Sequence, residues 1–450
     1  MKYRSLINTI FEKSKDKMDN MEVYIENNNK VEIKVFKGEI DDYTVSESGG
    51  LSFRGNFEDE IGYAYTEKLD ESSVDMLIED AIENGKHIDA EDKEEIFAGS
   101  ETYEDFNNYN DDLDKISLEE KIQFVKELEE EAYKLDDRVE TVAWCSYTEV
   151  ENERYLVNTK GINLKDKMNV GISSISVIVK EGEDTKTGAY QVISSDYSKF
   201  NPKEMAKEAV NEAVSMLGAS TIKSGEYPVV FRNDVFANIL GMFTPIFSAE
   251  NVDKGISLLK DKINEKVSTS KVTIVDDPFL EDGIESKYFD SEGTATSYRE
   301  IVDEGILKTY LYNWKAAKKS GVESTGNAKR DSYKSSISIA PNNLYILDRD
   351  NTLDQLIESI EKGLMIINVE GLHSGLDPVS GDYSLSAYGY EIEDGKIKRP
   401  VNQITIAGNF FETLMDIEDV GNDLKFEIPF IGGYVGSPSV KVKKISVAGD

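Results

Sequence analysis

The sequence predicts an α+β fold in two parts: an N-terminal half of antiparallel strands with covering helices, and a C-terminal half that is predominantly β. Three observations predict it. Short alternating apolar runs cut by glycines recur through the first half. Each group of runs is flanked by segments with apolar residues at helical spacing. After 218–225 the composition shifts to strand-like runs joined by short polar turns. At 450 residues the chain exceeds the size at which one hydrophobic core stops growing. Domains at 1–222 and 223–450 are therefore expected, the first divisible into units 1–97 and 116–222.

Residues 4–16 read as a helix, with Leu6, Ile7, Ile10 and Phe11 on one face. From Met21 to Tyr65 the runs 22–25, 31–36 and 51–54, punctuated by Gly38, Gly49, Gly50 and Gly55, predict a meander of short strands. A helix over 72–85 carries the stripe Val74, Leu77, Ile78 and Ile82. The acidic, Asn- and Tyr-rich stretch 98–115 has no sustained period and reads as a linker or surface loop. Ser117 and Glu120 have capping-box spacing, so a helix is expected to start at Leu118 and run to about Leu135. Three or four strands follow over 141–193, and then a helix over 202–217 with Pro202 near its first position. In the second half, strands are expected at 227–231, 272–276, 306–312, 383–392, 403–407 and 439–447. A helix is expected over 352–363, stopped by Gly363.

Composition narrows the function classes. Lys plus Arg number 51 against 87 Asp plus Glu, a net charge of −36, which repels phosphate backbones and disfavours direct nucleic-acid binding. Residues 1–17 lack an apolar signal-peptide core, and no apolar run approaches the about 18–20 residues that a membrane span needs. The one cysteine, Cys145, excludes an internal disulfide framework, and a cytoplasmic location is expected.

The catalytic inventory is thin. His87 and His373 are the only histidines; they fall in different halves, and no H-E-x-x-H pair occurs. His87 follows a helix C-terminus, where partial positive charge suits the macrodipole. His373 shares a Gly-rich segment with Ser374, Asp377, Asp382 and Ser384, but no G-x-S-x-G elbow accompanies it. Cys145 lies in a strand and reads as a packing residue. In a chain this acidic, Asp276, Asp277, Asp282 and Asp290 cannot be singled out by type. Phosphate-binding glycine loops are absent. What remains is a β-rich half suited to accepting an extended peptide as an added strand.

Eight ordered segments carry a resemblance: 249–255 (AENVDKG), 275–278 (VDDP), 289–293 (FDSEG), 307–312 (LKTYLY), 324–328 (STGNA), 381–384 (GDYS), 404–409 (ITIAGN) and 420–423 (VGND). With these the chain resembles the TldD/PmbA family, known for peptide maturation and formerly for modulation of DNA gyrase, and within it the PmbA (TldE) branch. The active TldD branch is similar to a zinc peptidase with two histidines in an H-E-x-x-x-H helix and a distal cysteine. Counted back from Glu250, those positions fall at about Met242, Phe243 and Phe247, side chains that supply no lone pair or base beyond a weak thioether.

The resemblance implies a chain without a cofactor of its own, zinc being expected only in a TldD-like partner. It implies a metal-lacking subunit that pairs with that zinc peptidase, or with itself as a homodimer, and helps bind unfolded peptides for cleavage. Gly326, Asn327, Arg330, Gly381, Asp382 and Ser384 are the candidate peptide or interface contacts, since polar loops on a sheet are where binding usually sits. A homodimeric peptide-binding scaffold and a metal-independent hydrolase remain the alternatives.

Overall fold

The computed structural model describes residues 2–58, 60–87, 93–429, 431 and 433–450. The chain opens with α1 (Arg4–Ser14), β1 (Asp19–Phe36), β2 (Glu39–Phe57), β3 (Glu60–Thr66) and α2 (Val74–Lys86). It continues with α3 (Leu118–Leu135), β4 (Val139–Asn158), β5 (Asn163–Glu181), β6 (Asp184–Ser194) and α4 (Pro202–Ser215). All six strands form one antiparallel sheet in the order β3-β2-β1-β4-β5-β6, so the segments on either side of 98–115 share a sheet through the β1–β4 pairing.

The capping box at Ser117 and Glu120 is present, and α3 runs over the span the sequence predicts. The predicted short runs, however, are pieces of longer strands. Residues 27–29 lie inside β1, paired with β2 on one side and β4 on the other, and the Asn152 side chain donates to Asn28 Oδ1 at 2.6 Å. Two-sided pairing overrides the low strand propensity of asparagine. Gly49 and Gly50 likewise sit within β2 instead of a turn. A Cβ on Gly50 would lie 2.2 Å from the Tyr333 ring, so this glycine admits a close neighbour from the second half.

The alternation of the strands decides the layers. Val23, Ile25, Leu51, Phe53 and Tyr155 pack under α1 and α2, while α3 and α4 cover the other end of the same face. Residues of opposite parity, Glu22, Tyr24, Ser52, Arg54, Arg154 and Leu156, are turned to the other face. That face is covered by the C-terminal half: Tyr24, Leu156 and Ile162 pack with Phe289 and Tyr333. Segment 98–115 is irregular, as predicted, and fastened down. Tyr103 donates to Gly293 O at 2.7 Å, and Asn108 Nδ2 to Gly283 O at 2.9 Å.

The second half follows with β7 (Gly225–Phe231), α5 (Asn233–Phe243), α6 (Ala249–Asp253), β8 (Ile274–Asp276), β9 (Arg299–Asp303), β10 (Ile306–Leu307), α7 (Trp314–Ser320), β11 (Ala328–Lys329) and β12 (Ser338–Ile339). After β13 (Asn343–Ile346) and α8 (Leu353–Glu358) come β14 (Lys362–Glu370), β15 (Asp382–Glu393) and β16 (Lys396–Asn409). The chain ends with α9 (Phe410–Met415), β17 (Ile417–Val420), β18 (Lys425–Glu427), β19 (Tyr434–Ser437) and β20 (Val440–Ala448). Strands β16-β15-β14-β7-β20 close into a barrel through the β16–β20 pairing, and β10-β9-β8-β13-β19-β18 form a second sheet.

Two expected elements are shorter than predicted. The strand over 306–312 ends at Leu307, after which Leu311 N–H donates to Phe247 O at 2.8 Å. The helix from Leu353 ends at Glu358, and Gly363 lies in β14, where a Cβ would come within 2.4 Å of Pro228 O on the neighbouring β7. Helix α5 is more apolar than the other helices and buried nearly all round, Val235, Phe236, Ile239, Leu240 and Phe243 all lying in the core.

Candidate functional site

The three positions where the resemblance would place zinc chemistry lie where α5 runs into a 3₁₀ turn, Thr244–Phe247. Met242, Phe243 and Phe247 are buried, and the Phe243 ring stacks on Phe410 with centroids 4.2 Å apart and planes 8° from parallel. Two phenylalanines and a thioether offer no nitrogen, thiolate or oxygen ligand, so these residues do not fit a zinc ion. Among the described residues, no three His, Cys, Asp or Glu side chains come together as a ligand set. His373 is exposed in its loop and His87 is exposed at the end of α2. Cys145 is buried in β4, its thiol pointing to Val125 O at 3.4 Å and its pKa pushed up by burial and by Glu129, which disfavours the thiolate.

The six candidate contact residues fall in two places. Gly381, Asp382 and Ser384 stand at the start of β15. Gly381 has φ +83°, Asp382 accepts from Asn409 Nδ2 at 2.9 Å, and Asp382 and Ser384 are exposed. Gly326 and Asn327 lead into β11 and face inward. Gly326 has φ +73°, and a Cβ there would meet Ala295 O at 2.9 Å. Asn327 Nδ2 donates to Asp276 Oδ2 at 2.7 Å and to Ala340 O at 3.2 Å. Asp276 also accepts from Asn342 N and Nδ2; burial pushes its pKa up to about 6, and these hydrogen bonds hold it from rising further.

Arg330 joins the two halves of the molecule. Its Nη2 donates to Glu22 Oε1 at 2.7 Å, its Nη1 to Ser52 Oγ at 3.0 Å, and its guanidinium lies over the Tyr24 ring. Glu22 is shared with Arg54, whose Nε donates to the same oxygen at 2.7 Å. All three side chains are essentially buried.

Around this anchor the structure assembles residues that sequence reasoning missed. The N-terminal sheet provides the floor of a cavity of about 340 Å³, through Tyr24 and Glu26 of β1, Asn152 and Arg154 of β4, and Asp166 of β5. Glu285, Lys287, Lys329 and Arg330 provide the roof. Arg154 pairs with Asp166, while Glu285 pairs with both Lys329 at 2.8 Å and Lys287 at 3.1 Å. Burial would raise the Glu285 pKa, but its two lysines hold it well below the usual carboxylate range. Burial, with Arg154 and Lys329 nearby, lowers the Lys287 pKa. The only sequence signal for this floor is strand parity: Glu22, Tyr24, Arg54 and Arg154 share the face opposite the helices.

A larger groove of about 850 Å³ shares Glu26 with the cavity, but Asn27, Glu47, Glu151 and Glu153 of its lining have the parity of Ile25, Leu51 and Tyr155 and so belong to the opposite, helix-side face of the sheet. A separate groove of about 420 Å³ lies beside the 3₁₀ turn, between Thr244, Pro245, Lys329, Asp331 and Ile339.

Comparison with known proteins gives matches along the chain. Residues 21–85, 111–217 and 224–449 match the first, central and C-terminal domains of the PmbA/TldA metallopeptidases. Metalloprotease PmbA of Escherichia coli O157:H7 is 24% identical over 444 residues, covering 97% of this chain and 95% of its own. A Thermotoga maritima protein solved under the description of a modulator of DNA gyrase superposes with a TM-score of 0.92 at 31% identity, covering 99% of this chain and 100% of its own. TldE from Thermococcus kodakarensis shares the fold, with a TM-score of 0.90 at 22% identity over 98% of this chain and 100% of its own.

Proposed function

The chain belongs to the PmbA/TldD metallopeptidase family, and from that premise we propose that it is the metal-lacking subunit of a TldD/TldE-type zinc peptidase, helping to bind unfolded peptides for cleavage by a TldD-like partner. The observation that carries this reading is the stack of Phe243 on Phe410 beside buried Met242 and Phe247. A catalytic zinc needs three protein ligands and an open position for water, and the buried apolar side chains at 242, 243 and 247 support a reading in which this chain supplies none of them. The groups that hydrogen-bond and orient metal ligands matter as well, so histidines placed at 242 and 247 alone are expected to restore nothing.

The N-terminal sheet supports the peptide-binding part. Its polar face carries a cavity beneath the second half, and a larger groove adjoins that cavity at Glu26. Arg330, with Lys329, serves this reading as a lining residue of the cavity, while Gly326 and Asn327 serve it by holding that segment in place. Asp382 and Ser384 serve it as exposed surface for a partner, with Gly381 as the buried turn that presents them. In line with such a role, no helix among the described residues is long and apolar enough to cross a membrane.

The test is co-expression with a TldD-like zinc subunit, followed by light scattering, elemental analysis and a casein assay. The expected result is a heterodimer that cleaves casein and, for the lone chain, well under one zinc per chain, no cleavage and a homodimer. Stoichiometric zinc with chelator-sensitive cleavage by the lone chain would overturn the reading. So would an exclusively monomeric chain that ignores the zinc subunit.

A further inference from the structure

We propose that the open outer edge of β2, residues 39–48, takes up a basic stretch of extended polypeptide as an added strand. The proposal rests on the peptide-binding reading above and gives that reading a place and a charge preference.

The edge itself is the first observation. β2 pairs with β1 from Glu39 to Asn56, but β3 covers only Leu51–Phe57 of its other side, because β3 ends at Thr66 opposite Leu51. No described strand lies along the outer side of 39–48, and all ten residues are exposed. Outward-facing main-chain groups on such an edge are what an added strand pairs with. The edge is also held in place before anything binds. Glu129 of α3 accepts from Lys37 N at 2.7 Å and from Gly38 N at 2.6 Å, which ties the β1–β2 turn to the helix layer.

Ile40, Tyr43 and Val45 supply the second observation. They stand opposite Val35, Ile33 and Val31 of β1 and so share the helix-side face. Ile33 and Val35 are buried in the core with α3 and α4, whereas Ile40, Tyr43 and Val45 are 43%, 45% and 58% exposed. Charges on an edge strand protect it against self-pairing; large apolar side chains on the same strand work against that protection, and an added strand gives them cover.

The third observation fixes the charge of the occupant. Between 39 and 48 the strand carries Glu39, Asp41, Asp42 and Glu47 and no base. The lysines of β1 leave these acids standing: Lys30 and Lys34 pair with Glu32, Lys34 comes within only 3.9 Å of Asp42, and Lys37 lies over the Phe36 ring. Side chains on neighbouring strands lie about 4.5–5.5 Å apart, so an added strand sets its own beside these four acids. A second copy of the chain would bring four more acids to the same edge. A basic strand with apolar residues between its charges matches both the acids and the apolar ledge. At Glu47 and Ser48 the edge runs into the groove of about 850 Å³, which gives a bound chain a path onward.

The test is calorimetric titration of the full-length chain with three probes: the basic peptide N-acetyl-Lys-Val-Lys-Tyr-Lys-Val-Lys amide, the same peptide with glutamate for every lysine, and the basic peptide with its main-chain amides N-methylated. Retention of unfolded casein and light scattering are measured alongside. The basic peptide is expected to bind about tenfold or more tightly than either of the others. Asp41→Lys with Glu47→Lys should reverse the charge preference. Tyr43→Ser with Val45→Ser should weaken binding of the basic peptide about fivefold or more, with thermal midpoints confirming that the variants fold. Equal binding of the basic and acidic peptides would overturn the charge assignment, and equal binding of the N-methylated peptide would overturn strand addition. A dimer of the chain that Tyr43→Ser with Val45→Ser breaks would give the edge to a second copy and overturn the proposal. Casein retained without binding of the basic peptide would remove the edge as the site while leaving peptide binding intact; neither casein retained nor any probe bound would remove the peptide-binding reading with it.

Discussion

Glu22→Gln tests whether the halves of the molecule are held together by charge. Glu22 Oε1 accepts from Arg54 Nε and from Arg330 Nη2, each at 2.7 Å, and Oε2 accepts from Arg54 Nη2 at 3.3 Å. Hydrogen bonds to a charged group contribute about 1.5–3 kcal/mol each. Glutamine can keep Oε1 in place with two weaker, neutral acceptor interactions, but it sets an NH₂ against the Arg54 Nη2 donor. It also leaves two buried guanidinium groups without their anion. Removing one partner of a buried ion pair costs about 3–5 kcal/mol, a large fraction of the about 5–15 kcal/mol by which a domain is stable. A chain of this size need not unfold in one step, so urea unfolding should be followed by two probes. The near-ultraviolet signal reports tertiary packing, and limited proteolysis of segment 98–115 reports release of the strap that Tyr103 and Asn108 fasten to the second half. Earlier loss of both is expected, together with a non-additive double-mutant cycle with Arg330→Met. A loss below about 1 kcal/mol, or an additive cycle, would refute the anchor.

Phe243→Ala removes a fully buried ring stacked on Phe410 and should cost about 3–5 kcal/mol, seen as a lowered urea midpoint without gain of zinc. The Asp276 carboxyl should titrate near pH 6 by ¹³C NMR. Its folded pKa is raised, so its contribution to stability is fully present below the unfolded value of about 3.9 and is lost as the pH rises through 6; a midpoint near 4 would refute its desolvation. His373→Ala should leave partner-dependent casein cleavage within about threefold, because an exposed loop histidine with no orienting base among the described residues adds little to proton transfer; a hundredfold loss would restore the metal-independent hydrolase.

What the sequence determined by itself is what is local. Ser117 and Glu120 specify the start of α3 because the capping box closes within four residues, and the apolar stripe of α2 marks its core face within three turns. The Asp394–Gly395 turn is legible for the same reason, both residues adopting positive φ. The apolar character of 242, 243 and 247 could likewise be read before any packing was known. The tertiary structure alone decided what joins distant segments. Gly50 reads as a turn residue until the Tyr333 ring is set against it, and 27–29 read as a break until β2 and β4 pair with them on both sides. Arg330 reads as an exposed loop residue until the fold brings it to Glu22, 308 positions away. The polar face of β1 and β4 looks solvent-facing by alternation, because strand parity says which residues share a face but not what covers it. Only the docking of the C-terminal half turns that face into an enclosed, charged cavity, since burial is a property of the whole packing and no single strand carries it.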